Sequence, residues 1–290
     1  MTQKKKTPIL FIFMASVFLY HQSLAQQALD NVQYKFFYQY SWQFDTITYN
    51  DIREDLIILQ VGQNISKSFS YYTFQSDSLR ATPDGRTVFR ESLNKALKEQ
   101  MARGERPNPP YYRRMGTMVY KNHPVGQVTV ADNISSNYYF YTDELHPQIW
   151  EITDSVKTIL DYPAQMAVSY FRGRRWTAWF APDIPISDGP WKLSGLPGLI
   201  MEAYDAKKHY SFHIVGIEKV DDEPIVFSPV VLSYGSFGKH EETNRITFLR
   251  GRFRYRHNMP DIMNNQLGMD IFSASTPSSH PHDFIERDYW

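Results

Sequence analysis

Asp183 and Asp188 flank the tetrapeptide Ile184-Pro185-Ile186-Ser187. A bend there brings two carboxyl groups together, the pairing that general acid–base chemistry uses. Lys192 is close enough in sequence to partner either acid. The same aspartates have a plainer use, accepting backbone N–H groups within their own turns. His209 and His213 lie four apart, which on a strand separates them by about 13 Å, too far to share one metal. His280-Pro281-His282-Asp283 places imidazoles and a carboxylate where zinc, copper or nickel could bind. It also reads as an ordinary polar tail. Arg172, Arg174 and Arg175 crowd one expected hairpin tip, suited to an anionic ligand or to a partner's carboxylate. An exposed, solubilising turn has the same composition. Arg250, Arg252, Arg254 and Arg256 alternate with Gly251, Phe253, Tyr255 and His257. Such a run could hold phosphate or an acidic glycan, or form a solvated helix face.

Recognised catalytic machinery is missing from the text of the chain. There is no P-loop, no dinucleotide fingerprint and no H-E-x-x-H; His240-Glu241-Glu242 lacks the second histidine. Gly235-Ser236-Phe237-Gly238 only superficially imitates a nucleophile elbow. The chain has no cysteine, which excludes disulfides, thiolate metal sites and thiol nucleophiles. It is instead rich in rings, with 20 tyrosines and 19 phenylalanines. In Trp176-Thr177-Ala178-Trp179-Phe180, alternate residues face opposite sides of a strand. Trp176 and Phe180 take one face and Trp179 the other. Such a strand must be covered twice, or one face must line a cavity.

The elements that would position these residues are mostly strands. Loose alternation predicts strands over Val32–Trp42, Asp55–Val61 and Ile65–Phe74, with Gly62-Gln63-Asn64 as a hairpin turn. Residues 77–86 read as a loop. Phe89, Leu93, Leu97 and Met101 recur every fourth residue and predict a helix ending at Gly104. Further strands are expected at Thr117–Tyr120, Gly126–Val130, Asn137–Thr142 and Gln148–Leu160. A hairpin follows across Arg172-Gly173, joining Ala164–Phe171 to Arg174–Phe180. Another joins Leu199–Tyr204 to His209–Ile217, and Ile225–Val231 reads as one more strand. Glu241–His257 fits a helix or a strand. Between strands, Asp188-Gly189-Pro190 is a tight turn, and Leu196-Pro197-Gly198-Leu199 carries the signature of a type II turn. The apolar residues around these turns predict a packed corner.

The ends set the remaining bounds. Lys4-Lys5-Lys6, the apolar run Ile9–Tyr20 and Ser23-Leu24-Ala25 make a signal peptide over residues 1–25, cleaved before Gln26. The apolar run falls short of the roughly 20 residues a spanning helix needs, so no permanent membrane anchor is expected. Cleavage removes three lysines from a balance of 31 basic against 31 acidic residues. A slightly negative chain has no global pull toward nucleic acid. Residues 26–290 read as one domain, without a linker or repeat, and Thr276–His282 as a mobile tail.

The segment Arg172-Gly173-Arg174, Ala178-Trp179-Phe180, Pro182–Lys192 and Gly195-Leu196-Pro197-Gly198-Leu199-Ile200 resembles the GLPGLI family, exported proteins of Bacteroidetes. The likeness is dense over Tyr162–Asp205 and thinner upstream to Asn137 and at Phe284-Ile285-Glu286. It implies an exported, β-rich protein and no established catalytic residue. The family often has a cysteine where this chain has Ala164. Together the readings give a β-rich α+β fold: one curved antiparallel sheet, half-open and barrel-like, packed on one or two helices. The function expected is binding or accessory work in the periplasm or at the cell surface. An apolar small molecule, lipid or peptide, or an envelope protein, would meet Trp176, Trp179, Phe180, Trp191, Arg172 and Arg174. A hydrolase built on Asp183 and Asp188, and a metal-handling role for His280 and His282, stand as alternatives. No cofactor is expected.

Overall fold

Aromatic and β-branched residues at alternate positions need a half-buried pleated surface, and this chain supplies one long sheet. The computed structural model describes residues 27–43, 52–104, 111–227, 230–233, 236–239, 241–258 and 284–289. The expected signal peptide, His280 and His282 lie outside the described residues.

Strands β1 (Gln27–Gln43), β2 (Ile52–Val61), β3 (Ser66–Ser70), β4 (Met118–Lys121), β5 (Gln127–Ile134) and β6 (Asn137–Glu144) build one half of the sheet. Strands β7 (Glu151–Ile159), β8 (Tyr162–Phe171), β9 (Arg174–Ala181), β10 (Leu199–Asp205) and β11 (Tyr210–Phe227) build the other. The order is β14-β6-β5-β4-β3-β2-β1-β11-β10-β9-β8-β7, a single 12-stranded open sheet. β14 is the short piece Glu241–Glu242. Its pairing with β6 is parallel, while the other ladders of this sheet are antiparallel. β12 (Val230–Ser233) and β13 (Ser236–Lys239) form a separate hairpin.

The two longest strands, β1 and β11, pair along their length from Trp42↔Tyr210 to Gln27↔Phe227. Register shifts interrupt that ladder at Ala28/Asp30, Val32/Tyr34 and Phe37/Tyr38. Each bulge adds local twist and bends the strand. The sheet therefore curls, and its flanks approach without closing a ladder. Arg172, in the β8–β9 turn, forms an ion pair with Asp143 of β6, near the opposite edge. This is the half-open, curved sheet that the alternation predicts.

The largest fully buried side chains include Trp176, Tyr38, Tyr120, Phe36, Phe180 and Phe212. They come from β1 and from strands on both sides of it, and all but Tyr120 belong to one continuous core.

Two local readings need correction. The expected strand Ile65–Phe74 stops at Ser70, and helix α1 (Tyr71–Arg80) begins there. Ser70 is the reason: its Oγ accepts from Thr73 N at 3.0 Å, an N-cap that turns the chain into a helix. Helix α2 (Pro83–Ala102) includes the expected apolar stripe but starts earlier, capped by Thr82 with Pro83 in its first turn. It packs on α1 and leaves Met101 exposed. The C-terminal ambiguity resolves as helix α3 (Arg245–His257), capped by Asn244 and packed on β5 and β6.

Candidate functional site: an aromatic cavity and the corner that shapes it

The corner between β9 and β10 is built around Lys121. Its Nζ is buried and donates to Asp188, to Gly189 O at 2.6 Å and to Leu193 O at 2.9 Å. Burial lowers the Lys121 pKa, and Asp188 opposes that shift. Asp188 also accepts from Gly189 N at 2.7 Å. It is thus a turn residue and the anchor of Lys121, while Asp183 sits exposed on the surface. Lys192, the partner expected for these acids, points elsewhere: it meets Asp143 Oδ2 at 2.8 Å and Glu286 Oε1 at 2.5 Å. Burial works against the Lys192 charge, but Tyr141, Glu286 and Asp143 more than offset it and raise its pKa.

Backbone geometry explains the glycine-proline spelling. Gly198 has φ +154°, and its N–H donates to Leu196 O at 2.8 Å, so the turn closes over three residues. The type II expectation fails: Gly198 lies far from the φ of about +80° that such a turn needs, and Leu199 N–H donates to Ile184 O at 3.0 Å instead. A Cβ on Gly198 would lie 2.2 Å from Ala181 O. From the other side, residues 146–150 bolt the corner down. Gln148 Nε2 donates to Lys192 O, Trp150 Nε1 donates to Ser194 O, and Ser194 Oγ lies 2.7 Å from His146 Nδ1. Burial lowers the His146 pKa, with Lys121 adding to the effect. Leu196, Leu199 and Ile200 are buried, and Ile200 O accepts from Tyr38 Oη at 2.8 Å.

With the corner fixed, Trp191 is pressed inward at φ +54° and joins a row of rings. Phe171 meets Trp191 at 5.6 Å, Trp191 meets Trp176 at 5.8 Å, and Trp176 meets Phe212 at 6.5 Å. Phe212 then stacks on Tyr40 at 4.5 Å, and Tyr40 on Trp42 at 4.9 Å. Trp191, Phe212, Tyr40 and Trp42, with Tyr210, line a cavity of about 360 Å³. Helix α3 supplies the opposite wall with Leu249, Arg252, Tyr255 and Arg256. Phe284, Ile285 and Glu286 close a third side, and Arg53 and Arg114 also border it.

Residues 171–202 match the family model described as protein of unknown function, Porph_ging. That stretch runs from the end of β8 to β10 and contains the hexapeptide Gly195–Ile200 and the corner just described. The fold is also similar to two solved structures of PNGF-II, in space groups P21 and C2. The TM-scores are 0.46 and 0.47, with 14% and 15% sequence identity and 78% of this chain covered. The chain spans about a third of the length of those proteins, 34% and 33%. No curated protein matches the chain.

The residues singled out in the sequence separate into four groups. Trp191 lines the cavity, and Trp176 backs it as a fully buried ring. Phe180 is buried, and Trp179 lies on the other face of β9 beneath Lys157 Nζ, 4.4 Å from its ring centroid. Arg172 and Arg174 hold the C-terminal segment. Arg174 pairs with Asp205 at 2.8 Å and donates to Ile285 O and Phe284 O. Arg172 pairs with Asp143 and Asp288. Of the hexapeptide, Gly195 packs near His146 and Trp150. Pro197 sets the turn that Gly198 completes. Among the described residues no group of three or more histidine, aspartate or glutamate side chains is placed to hold a metal ion.

Sequence reasoning missed most of the lining. Tyr38, Tyr40 and Trp42 alternate in β1, as do Tyr210, Phe212 and Ile214 in β11. That paired alternation was the available signal. A second hollow, of about 510 Å³, lies over Lys121, His146 and Asp188 and has Tyr34 on its wall.

Proposed function

We propose that this chain is an exported cell-envelope protein of the GLPGLI family that holds a small guest with a planar, apolar body. The observation that carries this reading is the row of rings Trp191–Trp176–Phe212–Tyr40–Trp42, tilted around Trp176 and stacked from Phe212 to Trp42, of which Trp191, Phe212, Tyr40 and Trp42 line one cavity. Aromatic faces supply large contact area at low entropic cost. The volume, about 360 Å³, falls at the small end of ligand sites and favours a compact molecule over a peptide chain. The signal-peptide pattern read over residues 1–25 and the match over residues 171–202 support the export and family parts of the reading.

The test is a titration of the purified protein with the neutral dye N-phenyl-1-naphthylamine, followed by fluorescence. Saturable binding is expected, weakened at least about tenfold by Trp42→Ala, since loss of one aromatic anchor removes more than 1.4 kcal/mol. Absence of saturable binding, or an unchanged affinity in Trp42→Ala, would overturn the reading.

A further inference from the structure

The second hollow, of about 510 Å³, lies toward the other end of β1 from the ring cavity. Tyr34 is on its wall and Trp42 on the wall of the first, a separation of roughly 26 Å along a strand. The two spaces are therefore distinct. Two elements frame the hollow, and both are held firmly. In the β2–β3 turn, Asp30 Oδ2 accepts from Asn64 N at 2.6 Å and from Ile65 N at 3.0 Å, while Asn64 O accepts from Asn122 Nδ2 at 2.9 Å. The other element is the corner, which Lys121 fixes through Gly189 O and Leu193 O. A wall already in place costs a ligand little ordering on arrival.

Charge is balanced here. Lys121 and Asp188 are the charged side chains on this wall, and they pair with each other. What remains is polar, uncharged and unengaged. Ser66 is the decisive residue: it lines the hollow, it is only 4% exposed, and its hydroxyl has no hydrogen-bond partner. Burying a hydroxyl without a partner costs stability, and native chains seldom do it without a use. The side chains of Tyr34, Gln63, Asn64 and Ser187 share the wall and make no hydrogen bond to another described residue. His146 is held through Nδ1 by Ser194 Oγ at 2.7 Å, which leaves Nε2 without a partner among the described residues.

Hydroxyl and side-chain amide groups both donate and accept. A ligand that answers several of them at once carries groups of the same double character and no net charge. The Tyr34 ring and Ile186 add apolar surface against which a C–H face can pack.

We propose that this hollow is a second ligand site, for a neutral polyol such as a monosaccharide, with Ser66 Oγ as its most buried contact and Tyr34 against the carbon skeleton. It stands independently of the ring cavity, and dye binding there has no bearing on it.

Isothermal titration of the purified protein with glucose, galactose, mannose and myo-inositol tests the proposal. At least one is expected to bind saturably, with a millimolar or tighter constant. The charged counterparts glucuronate and glucosamine should bind more weakly, since an uncharged wall does not repay the desolvation of an ion. Ser66→Ala and Tyr34→Leu, each made separately, should weaken the neutral ligand at least about threefold, the worth of one hydrogen bond or one ring contact. The melting temperature of Ser66→Ala should equal or exceed that of the wild type, because no bond within the protein is lost.

Binding by none of the four neutral probes would overturn the proposal. So would tighter binding of a charged counterpart. An unchanged affinity in either variant would also overturn it, because the polyol would then sit elsewhere.

Discussion

Lys192 Nζ lies 2.5 Å from Glu286 Oε1, although 94 residues separate the two in the chain. Both side chains are only 3% exposed. The contact joins the β9–β10 corner to the C-terminal segment, and Asp143 of β6 joins the same ammonium at 2.8 Å. Three distant parts of the chain thus meet at one buried charge. A buried ion pair adds little over an apolar substitute, but breaking one side of it is expensive.

Lys192→Met should therefore lower stability by about 3 kcal/mol in urea unfolding, because Asp143 and Glu286 would stay buried with only Arg172 and Arg245 left to meet their charge. Adding Glu286→Gln should recover part of the loss. Additive losses in the double variant would refute the coupling.

Gly198→Ala should lower stability by about 3 kcal/mol or more, a magnitude reserved for core disruption or backbone strain. Its Cβ would meet Ala181 O, a backbone atom that cannot step aside. Gly126 is the control: it also has positive φ, +77°, but nothing lies within 4 Å of its added Cβ. Gly126→Ala should lose only about 1 kcal/mol, the ordinary penalty of the left-handed region. Thermal melts of the two variants should differ accordingly.

Asp55 gives a pH signature. Burial pushes its carboxyl up to about 6, against hydrogen bonds from Met115 N–H, Ser70 Oγ and Leu56 N–H that favour the ionised form. The folded state therefore holds this proton more tightly than the unfolded chain, whose aspartates titrate near 3.9. Stability from this group is full below about pH 4 and is lost as pH rises through about 6, a change on the order of 2–3 kcal/mol. Asp55→Asn should flatten the stability profile by that amount between pH 4 and 7. It should also be less stable at pH 4, since an amide nitrogen cannot accept from Met115 N–H.

A chain ending at residue 283 would lack the wall formed by Phe284, Ile285 and Glu286. It should release N-phenyl-1-naphthylamine several-fold faster in stopped-flow displacement, since most affinity changes appear in the off-rate. An unchanged off-rate would show that the segment is not a wall of the binding site.

Much of the sheet was legible because alternation is local. The hairpins across Gly62-Gln63-Asn64 and Arg172-Gly173 fall where turn residues interrupt runs of apolar and aromatic residues. Helix α1 was obscured because its start depends on the single cap Ser70, inside a run of Ser, Phe and Tyr that also suits a strand. The site was less legible. Trp191 was visible as a large ring in an unusual corner, yet Tyr40, Trp42, Tyr210 and Phe212 looked like ordinary strand residues. Lys121 carried no sequence signal for Asp188, because their partnership crosses from β4 to the corner.

The sequence by itself determined the strand content, most turns and the packed character of the 182–200 segment, since each depends on neighbours a few residues away. Only the tertiary structure decided what the charges do. The curl of the sheet brings β6, the corner and the C-terminal segment within hydrogen-bonding distance, and it turns Arg252 and Arg256 toward the ring row. Coulombic and hydrogen-bonding partners are chosen by distance in space, and that distance is set by bulges and crossings that no local pattern encodes.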